Sequence, residues 1–161
     1  MAPSSPSNPS LPRVSSLYLS QRSLERLEGT AHPLVQVVKR AIQITTVDFG
    51  VLEGLRSASR QAHLVRLGKS RTRHSKHVTG HAVDLGAYID GRLSWNWPPY
   101  LEIARAMRDA SFELGIEVWW GGCWSSLQSG IDPAKQVEAY KARCVVAGKR
   151  PFLDGPHFEI V

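Results

Sequence analysis

The sequence lacks any long run of apolar residues, and it contains few cysteines. No segment approaches the ~18 consecutive apolar residues that cross a membrane, so we expect no stable membrane insertion. The two cysteines, Cys123 and Cys144, are too few for a disulfide scaffold, although one bridge between them is compatible with the sequence. Hydrophobic residues make up 42% of the 161 positions, which is enough to bury a core and excludes a wholly disordered chain.

Acidic residues are the scarcer charge type. The chain has 20 Lys and Arg against 14 Asp and Glu, which gives a formal net charge of +6. A positive balance indicates an anionic partner, but this modest excess does not separate nucleic acid from an anionic cell envelope. The net charge therefore indicates an anionic partner and does not identify the reaction or the binding partner.

The first sixteen residues contain almost no apolar material and have prolines at every third position, from Pro3 to Pro12. This composition predicts a disordered tail over residues 1–16 and a single domain over residues 17–161. The tail lacks the charged start and the apolar run of ~7–15 residues of a secretory signal. We therefore expect the protein to stay in the cytoplasm or to leave it without a cleavable signal peptide.

Hydrophobic periodicity and turn signals predict helices early in the chain and strands mostly late. The predicted helices cover residues 20–28, 33–42, 57–67, 100–114 and 132–144. The predicted strands cover residues 45–52, 81–88, a segment that ends near residue 97, 116–120 and 157–161. This order predicts an α+β fold in which helices pack on a small antiparallel sheet.

The segment from Ser75 to Leu85 contains the first group of chemically active side chains. His77 and Asp84 are seven residues apart, with Gly80 between them. Gly80 would cost about 1 kcal/mol inside a helix, and the residues after it alternate as a strand, which favours a loop that places His77 beside the strand of Asp84. Asp84 lies between apolar neighbours and needs a cation, and a metal ion would serve.

The segment from Asp154 to Val161 contains the second group. Alternation along a strand places His157 and Glu159 on one face, and the Gly-Pro pair before His157 predicts a turn that brings Asp154 near its imidazole. Two histidines and one carboxylate are typical of catalytic zinc sites, whose fourth position is left to water. Asp154 is then available to take a proton. Glu159 is a competing carboxylate that either orients a ligand or faces solvent.

Together the two segments read Ser-x-His-x-x-Gly-x-Ala-x-Asp-Leu, followed by a carboxylate-x-x-His. This pair of motifs resembles the zinc peptidases that cut bacterial cell-wall peptides. That family includes D-alanyl-D-alanine carboxypeptidases and dipeptidases, and the L-alanyl-D-glutamate peptidases used as phage endolysins. The resemblance is strongest to the endolysin branch and extends from residue 19 to residue 158.

The resemblance implies the hedgehog/D-Ala-D-Ala-peptidase-like fold and a set of roles. It implies that His77, Asp84 and His157 bind Zn²⁺, that Asp154 is the general base, and that Arg56 stabilises the oxyanion. Many relatives have Glu where this chain has Asp154, and Asp is usual in the endolysin branch. An ordinary surface arginine at a helix start remains the alternative for Arg56.

Other residues near the motifs carry weaker expectations. The resemblance implies that Trp120, Gly121 and Gly122 form part of a substrate wall, and Cys123 follows them where relatives often have a polar residue. His74 and His81 are not expected to be ligands. We expect Ser75 to support the His77 loop by a hydrogen bond.

The basic run of Lys69, Arg71, Arg73 and Lys76 is expected to be a solvated loop at the rim of the cleft, where it attracts the carboxylates of wall peptides. A DNA-binding role for these residues is the less favoured interpretation.

The function implied by the resemblance is that of a monomeric phage endolysin. Such a protein is a zinc-dependent endopeptidase that cuts the L-alanyl-D-glutamate bond of peptidoglycan stem peptides and lyses the host. It needs no nucleic acid, accumulates in the host cytoplasm and reaches the wall through a holin. Three alternatives stay open: a D-alanyl-D-alanine carboxypeptidase or dipeptidase of the same fold, a non-catalytic zinc-stabilised wall-binding module, and a basic nucleic-acid-binding protein.

Overall fold

In the computed structural model, which describes residues 17–161, five α-helices and six short strands follow one another along the chain. The helices are α1 (Gln21–Arg26), α2 (His32–Ile44), α3 (Ala58–Arg66), α4 (Trp97–Leu114) and α5 (Pro133–Val146). The strands are β1 (Asp48–Glu53), β2 (Ala82–Ile89), β3 (Arg92–Ser94), β4 (Trp119–Trp120), β5 (Ser125–Ser126) and β6 (His157–Glu159), and a 3₁₀ turn (Leu127–Ser129) follows β5. The predicted tail at residues 1–16 lies outside the described residues.

All the strands join one antiparallel sheet with the order β1-β2-β6-β4-β5. β2 is the central strand: one of its edges pairs with β1, and the opposite edge is shared by β3 near Ala87 and by β6 near Asp84. The predicted α+β fold with a small antiparallel sheet is therefore confirmed. The sheet brings β6, from the end of the described chain, beside β2 from its middle.

All helix ends but one lie within two residues of the predicted bounds. The Ser57 hydroxyl accepts a hydrogen bond from the Arg60 N–H at 3.1 Å and caps α3, and Asp132 caps α5 through the Ala134 N–H at 2.9 Å. α4 begins at Trp97, three residues before the predicted start. The two prolines after Trp97 occupy the first helical turn, where a missing N–H leaves no hydrogen bond unmade.

The core lies between the sheet and the pair α2 and α4. Both helices turn fully buried apolar stripes inward, as their periodicity predicts, namely Leu34, Val37, Val38 and Ala41 from α2 and Ile103, Met107 and Ala110 from α4. Phe49, Val51, Leu85 and Phe158 face them from the sheet. Each large side chain buried in this way contributes about 1.5–3 kcal/mol, which makes the sheet a rigid support for side chains at its ends.

Two remaining expectations concern the cysteines and the membrane. Cys123 and Cys144 are both buried with free thiols, so the bridge that the sequence left open does not form. Among the residues that the structure describes, no helix combines the length and the apolar composition that a membrane crossing needs.

Candidate metal centre

His77 lies in a tight turn immediately before β2. Gly80 ends the turn with a φ of +75°, and a Cβ atom at this position would collide with the Gly29 carbonyl oxygen. The Ser75 hydroxyl accepts a hydrogen bond from the His77 N–H at 3.3 Å, and the Arg56 N–H donates to the His77 carbonyl at 2.9 Å. These contacts fix His77 beside β2, as the spacing of the motif predicts, and confirm the supporting role of Ser75.

Three candidate ligands converge at the junction of β2 and β6. Asp84 and His157 are direct partners in the antiparallel register. The Oδ1 atom of Asp84 lies 3.2 Å from His77 Nε2 and 3.4 Å from His157 Nδ1. One potential ligand atom from each of the three residues lies within 4.8 Å of the others. The structure therefore brings together the set of residues that the sequence predicted.

The outer nitrogens of both imidazoles face hydrogen-bond acceptors. His77 Nδ1 lies 2.8 Å from the Gly54 carbonyl, and His157 Nε2 lies 2.7 Å from Glu159 Oε2. With a cation bound between the inner nitrogens, the rings would carry their protons on these outer nitrogens and donate to the Gly54 carbonyl and Glu159, which leaves the inner lone pairs for the cation. Glu159 thus contacts His157 as expected for a residue that orients a ligand.

The inner imidazole nitrogens lie so close to the Asp84 carboxylate that a positive charge is needed, either on a cation between them or on the protonated rings. Burial would raise the pKa of Asp84, but hydrogen bonds with His157 and His77 hold it well below its usual range. Burial would likewise lower the pKa of His157, but its contacts with Asp84 and Glu159 raise it to about 9. A divalent cation would meet the same electrostatic demand, so the donor set fits a catalytic zinc ion.

Asp154 lies in the same cleft, but it is not one of the three converging ligands. The Asp154 N–H donates to the Gly121 carbonyl at 2.9 Å, and the Gly121 N–H donates to the His157 carbonyl at 2.8 Å. Only glycine allows this approach, since a Cβ atom on Gly121 would meet the Asp154 carbonyl oxygen. Burial, with repulsion from Asp84, raises the pKa of Asp154 and makes it a better proton acceptor than an exposed aspartate.

Arg56 is buried beside the site, with only 8% of its surface exposed, so the alternative of an ordinary surface arginine is wrong. Its Nε and Nη2 atoms donate to the two Glu53 oxygens at 3.0 and 2.6 Å, and Nη1 donates to Gln61 Oε1 at 2.7 Å. Nη2 also lies 3.5 Å from Asp84 Oδ2. The guanidinium is therefore held rigidly at the edge of the proposed metal site.

Sequence reasoning missed Glu53 and Gln61, the two residues that hold Arg56. Burial would raise the pKa of Glu53, but hydrogen bonds from Arg56 and Arg60 outweigh it and lower that pKa. Glu53 ends β1 and Arg56 lies in the loop before α3, so the helical spacing rule for ion pairs gave no signal there. Gln61 lies in a helix of mostly polar residues, and no pattern there indicates that its side chain is 1% exposed.

The expected substrate wall at Trp120 is wrong. Trp120 is fully buried, its Nε1 donates to the Gly155 carbonyl at 2.8 Å, and Gly122 packs against its ring. Trp124 lines the cleft instead, with its indole 5.4 Å from the imidazole of His157 between ring centroids. Its backbone adopts a φ of +49°, a conformation that is strained for a bulky residue and that turns the chain at the mouth of the cleft.

A cleft of about 700 Å³ surrounds these side chains. Lys69, Arg71 and Lys76 line it, which confirms the predicted basic rim for three of the four residues of the run. Arg73 is exposed and is not among the residues that line the cleft. His74 also lines the cleft, but neither His74 nor His81 belongs to the converging group.

Comparisons with known proteins agree with this geometry. The chain is 28% identical over 150 residues to the L-alanyl-D-glutamate peptidase of Escherichia phage T5, covering 91% of this chain and 99% of that protein. It also resembles the crystal structure of the L-Ala D-Glu endopeptidase ChiX from Serratia marcescens, with a TM-score of 0.69, 38% identity, and coverage of 91% of this chain and 92% of the other. The family model for phage L-alanyl-D-glutamate peptidases matches residues 15–161, and the chain therefore belongs to that family.

Proposed function

We propose that this chain is a zinc-dependent endopeptidase that hydrolyses the L-alanyl-D-glutamate bond of peptidoglycan stem peptides. The observation that carries the proposal is the convergence of His77, Asp84 and His157, with Asp154 in the same cleft. Membership of the phage L-alanyl-D-glutamate peptidase family, and relatives named for that activity, supply the reaction and the bond.

The inner nitrogens of His77 and His157 and the carboxylate of Asp84 would hold the zinc ion. When bound there, Zn²⁺ supplies Lewis-acid chemistry, in which it polarises the scissile carbonyl and acidifies a water molecule. The Gly54 carbonyl and Glu159 fix the orientation of the two imidazole rings before any ion arrives.

Asp154 is the proposed general base. It takes a proton from the attacking water as the new C–O bond forms, and it passes that proton to the D-glutamyl nitrogen as the C–N bond breaks. The water thereby supplies the hydroxyl of the new alanyl carboxyl group and the hydrogen of the new amine. The raised pKa of Asp154 suits the first transfer, because it makes the carboxylate a stronger base than an exposed aspartate.

Arg56 is the proposed stabiliser of the carbonyl oxygen as that atom becomes negative. A guanidinium has five N–H donors, of which three donate to Glu53 and Gln61. The others face Asp84 and the cleft, where a donor of fixed position is typically worth about 3 kcal/mol of transition-state stabilisation.

The bond specificity is tested by digesting purified peptidoglycan and identifying the new termini. We expect new amino-terminal D-glutamate, no digestion in the presence of a chelator, and recovery of digestion when zinc is added back. Release of D-alanine instead would overturn the proposal in favour of a carboxypeptidase.

The role of Asp154 is tested with the variant Asp154→Asn. The amide keeps the shape of the side chain but cannot accept the proton, so we expect zinc content close to that of the wild type and loss of hydrolysis by a factor of about 10²–10⁴. Hydrolysis that persists with zinc bound would show that another group is the base. A wild-type protein that binds the wall but never cuts it would be a zinc-stabilised binding module.

We further propose that the protein acts as a monomeric endolysin. It would accumulate in the host cytoplasm and reach the wall when a holin opens the membrane, as its phage family suggests. Expression in host cells should cause lysis only when the membrane is permeabilised, and light scattering should give the mass of one chain. Lysis from intact cells without permeabilisation would contradict this route.

A further inference from the structure

One segment of the cleft carries positive charge without a matching carboxylate. We call residues 69–76 the cationic strap; they connect the end of α3 to the turn of His77. Lys69, Arg71 and Lys76 of the strap line the cleft. In residues 17–161, no carboxylate lies within 4 Å of any of these three cationic groups.

The other cations of the cleft already have partners. Glu53 binds Arg56 through two hydrogen bonds and Arg60 through a third, at 2.7 Å. The remaining cleft carboxylates belong to the proposed metal site and its surroundings. A bound peptide that carries a free carboxylate would therefore meet its uncompensated positive charge on the strap.

The strap is held in place by contacts with α3 on one side and with the loop before β6 on the other. On the inside, Nε2 of the buried Gln61 donates to Ser70 Oγ at 2.9 Å and to the Thr72 carbonyl at 2.5 Å. On the outside, the Arg71 guanidinium lies 5.1 Å above the ring of Phe152. A cation fixed in this way loses less conformational entropy on binding than a mobile surface lysine.

The contact between Arg71 and Phe152 is connected to the proposed metal site through a second aromatic side chain. Phe152 stacks on Trp124 with ring centroids 6.1 Å apart, and the Trp124 Nε1 donates to the Phe152 carbonyl at 2.7 Å. Trp124 in turn packs against His157. At the other end of the strap, Lys76 directly precedes His77 and is half-buried. Arg71 is therefore linked to His157 through two aromatic rings and Lys76 to His77 through the chain, so both cations line the cleft near the proposed metal site.

The proposed substrate offers the complementary charge. A D-glutamyl residue has two carboxyl groups, and only one of them can form the peptide bond to the next residue. The first residue after the scissile bond, the D-glutamyl residue itself, therefore carries a free carboxylate unless that group is amidated. Resting on the proposed function, we infer that the cationic strap binds this free glutamyl carboxylate, with Arg71 and Lys76 as the contacting cations.

The test compares two synthetic stem peptides that contain the L-alanyl-D-glutamate bond. One peptide has the free glutamyl carboxylate, and the other has it converted to a carboxamide. We expect the zinc-loaded wild type to show about a tenfold higher KM for the amidated peptide with a similar kcat, because a charge-assisted hydrogen bond is lost. The double variant R71Q/K76Q should cut both peptides with the KM that the wild type shows for the amide.

The matched control is the double variant K39Q/R66Q. It removes the same charge from Lys39 in α2 and Arg66 in α3, both exposed, outside the strap and outside the cleft lining. We expect it to keep the wild-type preference, and melting temperature and zinc content should match the wild type in both double variants. Calorimetric affinity for the product peptide that begins with D-glutamate should fall about tenfold in R71Q/K76Q alone.

Three outcomes would overturn the inference. They are equal cutting of the two peptides by the wild type, retention of the preference by R71Q/K76Q, and an equal loss of the preference in K39Q/R66Q. A wild-type enzyme that cuts neither peptide would refute the proposed function as well, whereas equal cutting of both refutes only the role of the strap.

Discussion

The two walls of the cleft are built in different ways. The inner wall consists of the three candidate ligands. Asp84 lies on β2, His157 lies on β6, and His77 lies in a turn that is hydrogen-bonded beside the sheet. The outer wall consists of the cationic strap, Phe152 and Trp124, which belong to loops held by a few side-chain contacts. The comparison indicates that the reaction chemistry depends on the rigid sheet, and that substrate recognition depends on loops that can vary without disturbing it.

The inner wall should lose both zinc binding and hydrolysis when one ligand loses its charge. Asp84→Asn replaces the carboxylate with a neutral amide of the same shape, so we expect zinc affinity to fall more than about 100-fold and hydrolysis to be lost, a larger effect than that of any outer residue. Zinc content after dialysis and hydrolysis of peptidoglycan are the measurements. His81→Ala is the control, since His81 belongs to the same motif and its imidazole, within residues 17–161, forms hydrogen bonds only with Thr79. Full zinc content in Asp84→Asn would exclude Asp84 as a ligand.

A smaller effect should follow when the support of a ligand is removed. Glu159→Ala leaves the His157 ring free to rotate and takes away the acceptor for its Nε2 proton, so we expect zinc affinity to fall about 10–100-fold. Competition with a zinc-binding dye measures this change. The exposed Glu117→Ala should bind zinc as the wild type does. Equal affinity in both variants would show that Glu159 merely faces solvent.

Removing a support of the outer wall should lower the stability of the protein and expose the strap to proteolysis, while zinc stays bound. Gln61→Leu removes the amide that accepts from one Arg56 N–H and donates to the Thr72 carbonyl, and we expect the free energy of unfolding to fall by about 1–3 kcal/mol. Urea unfolding measures stability, and limited proteolysis should show faster cleavage within residues 69–76. Gln36→Leu makes the same exchange at an exposed site and should have little effect. A parallel loss of zinc affinity in Gln61→Leu would mean that the two walls are not independent.

The residues of the inner wall could be predicted from the sequence because their chemical types are rare and their spacing is restrictive. Two histidines and an aspartate in two short motifs predict one metal site. The antiparallel sheet brings these two motifs, which are far apart in the sequence, side by side. The outer wall could not be predicted in the same way. Five tryptophans look alike in a sequence, and only the fold shows that Trp120 is buried while Trp124 faces the cleft.

The fold shows the same division between patterned and unpatterned segments. Caps at Ser57 and Asp132 and the apolar stripes of α2 and α4 predicted those helices, because each signal is local. The two-residue strand β5 and the 3₁₀ turn after it were missed. Their conformation depends on pairing with Trp119 and Trp120 across the sheet, and two residues carry no periodicity.

The direct pairing of Asp84 with His157 also makes the metal site a gauge of strand register. Side chains alternate between the faces of a strand, so a slip of one residue between β2 and β6 would turn His157 and Glu159 toward the core and Phe158 toward the cleft. A chain folded with that slip could not assemble the three ligands. Tight binding of one zinc ion per chain would therefore report that the last strand had closed the sheet in its native alignment.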